Sequence, residues 1–251
     1  MFSKKLVGAL AVLAATAVVP IAVAQEVPAP TPEPVPVPIC EGLPATVVGT
    51  EDSDVLFADA AGSVIVAKGG NDVIVGRGGN DFICADDGDD VVLAGKGDDR
   101  INGSEGNDRI YGMGGREQVH AGLGDDFVSG GAGDDFFLHG DNDVDIVLGG
   151  GGQDDLFGGD EADQLRGGRG VDIMHGGQER DILEGQGGND QLFGNDGDDD
   201  LLGGPGDDPK LHGGEDDDRL DGGPGNDTDC LGNGELVDDA PADVDVIRNC
   251  E

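Results

Sequence analysis

The sequence predicts an all-β chain wound as a flattened parallel spiral, on three observations locked in one phase. An acidic beat falls at every ninth residue: Asp54, then Ser63 in the same phase, then Asp72, Asp81, Asp90, Asp99, Asp108, Glu117, Asp126 and Asp135. One extra residue shifts it, and it resumes as Asp145, Asp154, Asp163, Asp172, Asp181, Asp190, Asp199 and Asp208; after a second slip come Asp218 and Asp227. A glycine commonly stands two residues before the beat, and an apolar residue two after it. A random chain does not hold such a phase for twenty units.

Each element follows from one position of the unit. With the beat as position 6, adjacent units read GRGGNDFIC from Gly76, ADDGDDVVL from Ala85 and AGKGDDRIN from Ala94. Positions 7–9 form a three-residue strand whose position 8 side chain faces inward while its neighbours face out. The glycines permit the positive φ that reverses the chain after each strand. Two units then close one coil, and about ten coils at ~4.8 Å give a body of roughly 48 Å. The expected inward series runs Leu56, Ile65, Ile74, Ile83, Val92, Ile101, Ile110, Val119, Val128 and Phe137. It continues through Val147, Leu156, Leu165, Met174, Leu183, Leu192, Leu201, Leu211 and Leu220.

This unit resembles the RTX (repeats-in-toxin) nonapeptide, Gly-Gly-x-Gly-x-Asp-x-aliphatic-x, over about residues 49–230. The resemblance implies a right-handed parallel β-roll with calcium ions between its turns. The composition agrees. Gly makes up 49 of 251 residues, Trp is absent and the formal net charge is −40. One inward apolar side chain per nine ordered residues cannot offset their backbone entropy. Stacked turns also set Asp90 over Asp72 and Asp99 over Asp81, two columns of like charge. A hard cation that accepts six to eight oxygens turns that repulsion into cross-linking, and calcium fits better than magnesium, which keeps its water. Zinc and copper prefer nitrogen or sulfur, and His120, His139, His175 and His212 look too scattered along the chain for a shared site.

The candidate ligands are Asp72, Asp81, Asp90, Asp99, Asp108, Asp126, Asp135, Asp154, Asp172, Asp190, Asp199, Asp208 and Asp227. Ser63 lacks a carboxylate, and Glu117 is one methylene too long. Asp143, Glu161, Glu179 and Asp216 replace the position 4 glycine, so the turns before Asp145, Asp163, Asp181 and Asp218 are expected to suffer.

The ends carry their own signals. Lys4 and Lys5, an apolar run from Leu6 to Val19 and Ala22-Val23-Ala24 read as a secretory signal peptide over residues 1–24. Residues 25–39 form a proline-rich extended linker. Residues 40–48 and 231–251 lack repeats and read as caps on the 49–230 roll. Four cysteines suit an oxidising compartment. A disulfide spans only ~4.4–6.8 Å between Cα atoms, far less than the body's length, so the pairs expected are Cys40–Cys84 and Cys230–Cys250. Unpaired or intermolecular thiols are the alternative.

The acidic balance excludes nucleic acid as a partner and points to cations. No membrane insertion is expected. The reading is a secreted, non-catalytic calcium-binding repeat protein. The alternative is a cell-surface adhesin or structural module binding polysaccharide, for which no aromatic row is visible in the sequence. An enzyme ranks third: the sequence has no His-Glu-x-x-His and no Gly-x-Ser-x-Gly motif.

Overall fold

Strand pairing at a spacing of 18 residues organises the molecule. The computed structural model describes residues 39–232 and 246–250; the expected leader and the proline run to Pro38 lie outside the described residues. These residues form strands and turns with no helix. Two parallel sheets of eleven strands each take alternate strands of the chain. The first sheet runs from Val47–Val48 to Cys230–Leu231, and the second from Val55–Phe57 to Val246–Arg248. Ile110 pairs with Val92 on one side and Val128 on the other, the offset that two nine-residue units per coil require. The β-roll expected from the repeat, an all-β parallel solenoid of about ten turns, is the fold observed.

The inward series is buried as expected apart from Leu56, only partly buried in the first coil, and one displacement. Ile74, Ile83, Val92, Ile110, Val119, Val128, Val147 and Leu156 are all fully buried, as are their successors to Leu220. At the first slip the buried residue is Leu138, not Phe137. Phe137 is the inserted residue: the pairing register shifts between Phe136 and Leu138, and Phe137 lies at φ 74 with its ring on the outer face. A bulge absorbs the extra residue, so the downstream strands keep their inward face.

Strands near the two ends keep the three residues expected, as at Val55–Phe57, Val73–Val75 and Arg219–Asp221, but those between them are mostly longer. Phe82–Asp87, Val91–Lys96 and Arg100–Glu105 run six residues, through positions 1–3 of the following unit. Pairing skips position 1, whose side chain points inward. Only small residues stand there. Ala85, Ala94 and Ala121 are fully buried, and a methyl on Gly103 would lie 2.3 Å from the Ala121 carbonyl oxygen.

Both expected disulfides are present, Cys40–Cys84 with Cα atoms 5.7 Å apart and Cys230–Cys250 with 6.2 Å. The first anchors the hairpin of Ile39–Cys40 and Leu43–Pro44, burying Cys40, Val66 and Cys84 beside Val64 and Phe82. The second joins Cys230, in the last strand of the first sheet, to the segment that follows the last strand of the second.

Candidate metal centre

The beat carboxylates line the turns between sheets, and from Asp72 onward all but Glu117 are drawn into the backbone of the neighbouring coil. The Asp72 amide donates to Asp90 Oδ1 at 2.7 Å, Asp81 to Asp99 at 2.8 Å, and Asp90 to Asp108 at 2.8 Å. The pattern crosses the first slip unbroken, Asp126 donating to Asp145 and Asp135 to Asp154. The carbonyl of the same residue accepts from the next coil, as Asp72 does from the Val91 amide. One carboxylate oxygen per beat is thus spent as a strut along the roll axis.

The other oxygen is stranded. Oδ2 of Asp72, Asp81, Asp90, Asp99, Asp108, Asp126, Asp135, Asp154, Asp172, Asp190, Asp199, Asp208 and Asp227 is buried and has no hydrogen-bond partner. So is that of Asp145, Asp163 and Asp181. A buried polar atom without a partner costs free energy, and a whole series of them marks a missing positive charge. Where position 1 is glycine, as before Asp81, Asp108, Asp154, Asp190, Asp199 and Asp208, the stranded oxygen lies beside a backbone carbonyl of the next coil. A methyl on Gly149 would sit 2.4 Å from Asp154 Oδ2 and 2.7 Å from the Gly167 carbonyl oxygen; on Gly185, 2.6 Å from Asp190 Oδ2 and 2.5 Å from the Gly203 carbonyl oxygen. Two oxygens converging on one small space form a hard-cation cradle.

Burial governs the electrostatics. The carboxyls of Asp81, Asp172 and Asp208 are pushed up to about 6, those of Asp90, Asp126, Asp154, Asp163, Asp190 and Asp199 to about 7, and those of Asp108, Asp145 and Asp181 to about 8. Loss of water is the largest cause for each, amide donation to the carboxylate opposes it, and neighbouring carboxylates add less. The stacked charges expected from the sequence are therefore primarily a desolvation problem.

Among the described residues, no three His, Cys, Asp or Glu side chains cluster as a metal site. Side chains alone do not complete a coordination shell, so backbone oxygens must. The turns present them. In one of the two turn rows, position 4 is glycine from Gly79 through Gly97, Gly115, Gly133, Gly152, Gly170, Gly188 and Gly206 to Gly225, each carbonyl directed at the next glycine. The carboxylates and carbonyls available are the donors a calcium ion takes, and this donor set fits it.

Asp143, Glu161, Glu179 and Asp216 all fall in the other turn row. They adopt φ of 72, 70, 66 and 73°, ordinary left-handed values, whereas position 4 glycines open wider in both rows, to 130–142° at Gly97, Gly115, Gly133 and Gly152 and to 124–139° at Gly88, Gly106 and Gly197. The damage expected from the sequence does not occur. Asp145, Asp163 and Asp181 keep the same burial and amide contacts as the other beats, and the Asp199 amide reaches Asp218 Oδ1. The substituents also find partners: the Gly124 amide donates to Asp143 Oδ2 and the Asp143 amide to Glu161 Oε2.

Three positions depart from the pattern. Asp54, at the open end, turns Oδ2 to the Thr50 amide at 2.7 Å. Ser63 is buried and accepts the Asp59 amide through its hydroxyl at 3.1 Å. Glu117 is fully buried with neither oxygen hydrogen-bonded, and its carboxyl is pushed up to about 10, by burial first and then by Asp135. Glu117→Asp is expected to restore the strut to the Asp99 amide and lower the calcium concentration at half-saturation. Isothermal titration of both proteins checks this, and equal midpoints would count against it.

The histidines need a correction. Their spacing in sequence conceals a shared column on the outer face of the first sheet, where His120 pairs with His139, His139 with Phe157, Phe157 with His175, His175 with Phe193 and Phe193 with His212. His139, Phe157, His175 and Phe193 stack within 9° of parallel at centroid distances of 4.7–5.5 Å. An aromatic row therefore exists where none was expected. Its ring faces cover one another, which leaves mainly edges to solvent. Asp141 lies 2.9 Å from His139 Nδ1 and 3.2 Å from His120 Nδ1. The two imidazoles hold its carboxyl down at about 2 against the cost of burial.

The family model of the RTX calcium-binding nonapeptide repeat (4 copies) matches residues 61–92, 85–116, 111–146, 139–174, 148–183, 175–208 and 210–229. No curated protein matches the chain. With most of its length matched by that model, two sheets in the repeat's own register and a stranded carboxylate oxygen in turn after turn, the chain belongs to the RTX calcium-binding nonapeptide repeat family.

Proposed function

We propose that this is a secreted, non-catalytic protein whose roll closes when calcium occupies the spaces between its turns. The observation that carries the reading is the series of buried, unpartnered Oδ2 atoms, many of them beside a carbonyl of the next coil. Asp72, Asp81, Asp90, Asp99, Asp108, Asp126, Asp135, Asp154, Asp172, Asp190, Asp199, Asp208 and Asp227 would supply the carboxylates, and the position 4 and position 1 carbonyls the remaining oxygens. Asp145, Asp163, Asp181 and Asp218 join them on the geometry above. Bound calcium supplies positive charge and oxygen coordination that water no longer can. The chain's part is to hold one oxygen on an amide and aim the other inward.

Secretion is supported by the expected leader over residues 1–24 and by the two disulfides. Millimolar extracellular calcium matches the weak sites typical of such modules, and low cytosolic calcium would leave the chain open for export. Among the described residues no helix is long and apolar enough to cross a membrane.

Far-UV circular dichroism of the leader-free protein at neutral pH tests the proposal. Calcium is expected to produce a cooperative coil-to-sheet transition, reversed by chelation, with magnesium much less effective. A chelated chain as compact and protease-resistant as the loaded one would overturn it.

A further inference from the structure

The outer face of the second sheet is divided by chemistry. Along its position 9 column the N-terminal half carries Phe57, Val75, Leu93, Tyr111, Ser129 and Leu148. The C-terminal half of the same column carries Arg166, Glu184, Leu202, Asp221 and Arg248. In the apolar half, Gly95, which has no side chain, pairs with Met113 on one side and lies against the Arg77 backbone on the other, leaving a gap between their side chains. The gap opens a groove of about 500 Å³ floored by Val75 and Leu93 and edged by Arg77, Lys96 and Met113. Met113 stands beside it, 56% exposed and at φ 80.

We infer that this half-face binds a second copy of the same chain, two-fold, with the Met113 of each copy seated in the other's gap at Gly95. Symmetry carries the assignment. In a two-fold contact, residue i meets j where j meets i. Gly95 and Met113 lie one coil apart, and the midpoint between their coils is also the midpoint of the apolar half-column from Phe57 to Leu148. An axis along the strands through that point lays Met113 over Gly95 twice and apolar coils over apolar coils, leaving both charged halves free.

Size and charge agree. Six coils at ~4.8 Å and strands of roughly 20 Å cover roughly 580 Å² per copy, about 1,150 Å² together, at the lower end of specific interfaces. The formal charge of −40 opposes association, but the acids of this half sit largely in the turn rows. The charged side chains edging the groove, Arg77 and Lys96, are basic. This half-face therefore adds little to the repulsion between two acidic chains.

Sedimentation velocity of the calcium-loaded protein over a wide concentration range tests the inference. A dimer is expected, reduced to the monomer's sedimentation coefficient by Met113→Glu and by Leu93→Arg. Leu202→Arg, in the polar half of the same column, is expected to leave it intact. Should either substitution disturb folding, amide exchange of the unaltered protein serves, with protection over residues 93–96 and 111–114 expected to rise with concentration. A monomer at every concentration, including one that captures some other ligand on this face, overturns the inference. So does a dimer that survives Met113→Glu with those amides unprotected.

Discussion

Chelated at pH 8, the protein is expected to be an expanded chain, and acidification to about pH 5 without metal is expected to compact it. The direction follows from the beat carboxyls. Their folded values lie at about 6 to about 8, raised chiefly by burial, above the ordinary aspartate value of 3.8. The folded chain therefore holds protons that the unfolded chain has released, and folding takes up protons between those limits. For a carboxyl raised in this way, the contribution to stability is present below the unfolded value and lost as pH rises through the folded one. Many such groups titrating in one window make the loss steep. With calcium present the dependence reverses, because the ion and the protons compete for the same oxygens, and acid should weaken binding. Circular dichroism and sedimentation of chelated protein at pH 5 and pH 8, with calcium midpoints at pH 6 and pH 8, check both arms. A chelated chain indifferent to pH across this range would contradict the first.

Gly152→Val is expected to break the roll at one coil, while Glu161→Gly should change little. Gly152 lies at φ 141, outside the range a side chain adopts, and an added methyl would stand 1.7 Å from the Gly133 carbonyl oxygen. Neither backbone can move without disturbing the glycine column on either side. Glu161, in the other turn row, already carries a side chain at φ 70. The expected loss for Gly152→Val is at least ~3 kcal/mol, from backbone strain and collision together. Urea unfolding in calcium and limited proteolysis would report it, with cleavage appearing around residues 133–152. An unfolding midpoint equal to the unaltered protein's would refute the expectation.

The periodic features were legible because each repeats in phase. The beat located Asp72 to Asp227, the residue two places later located the core, and chain length along the spiral sufficed to pair the cysteines. Features that depend on register between coils were not. A slip can be detected in sequence, but whether Phe137 or Leu138 turns inward depends on where the bulge forms. The ring column was hidden because its members lie one or two coils apart and only alternate units share a sheet. The tolerance of Asp143, Glu161, Glu179 and Asp216 was illegible for a related reason. Nine-residue periodicity makes every position 4 look alike, yet φ varies from turn to turn, wide at Gly88, Gly152 and Gly197 and ordinary left-handed at the four acids.

The interleaving of two sheets makes chain length a stepwise quantity. Excising eighteen residues within the roll would rejoin like strand to like and merely shorten the spool. Excising nine would transfer everything downstream to the opposite sheet, carrying the histidine column round to the far side and the glycine carbonyls into the row that now tolerates acids. Insertions and deletions in such a chain should therefore be survivable in whole windings and disruptive in halves, apart from single residues that a bulge can swallow.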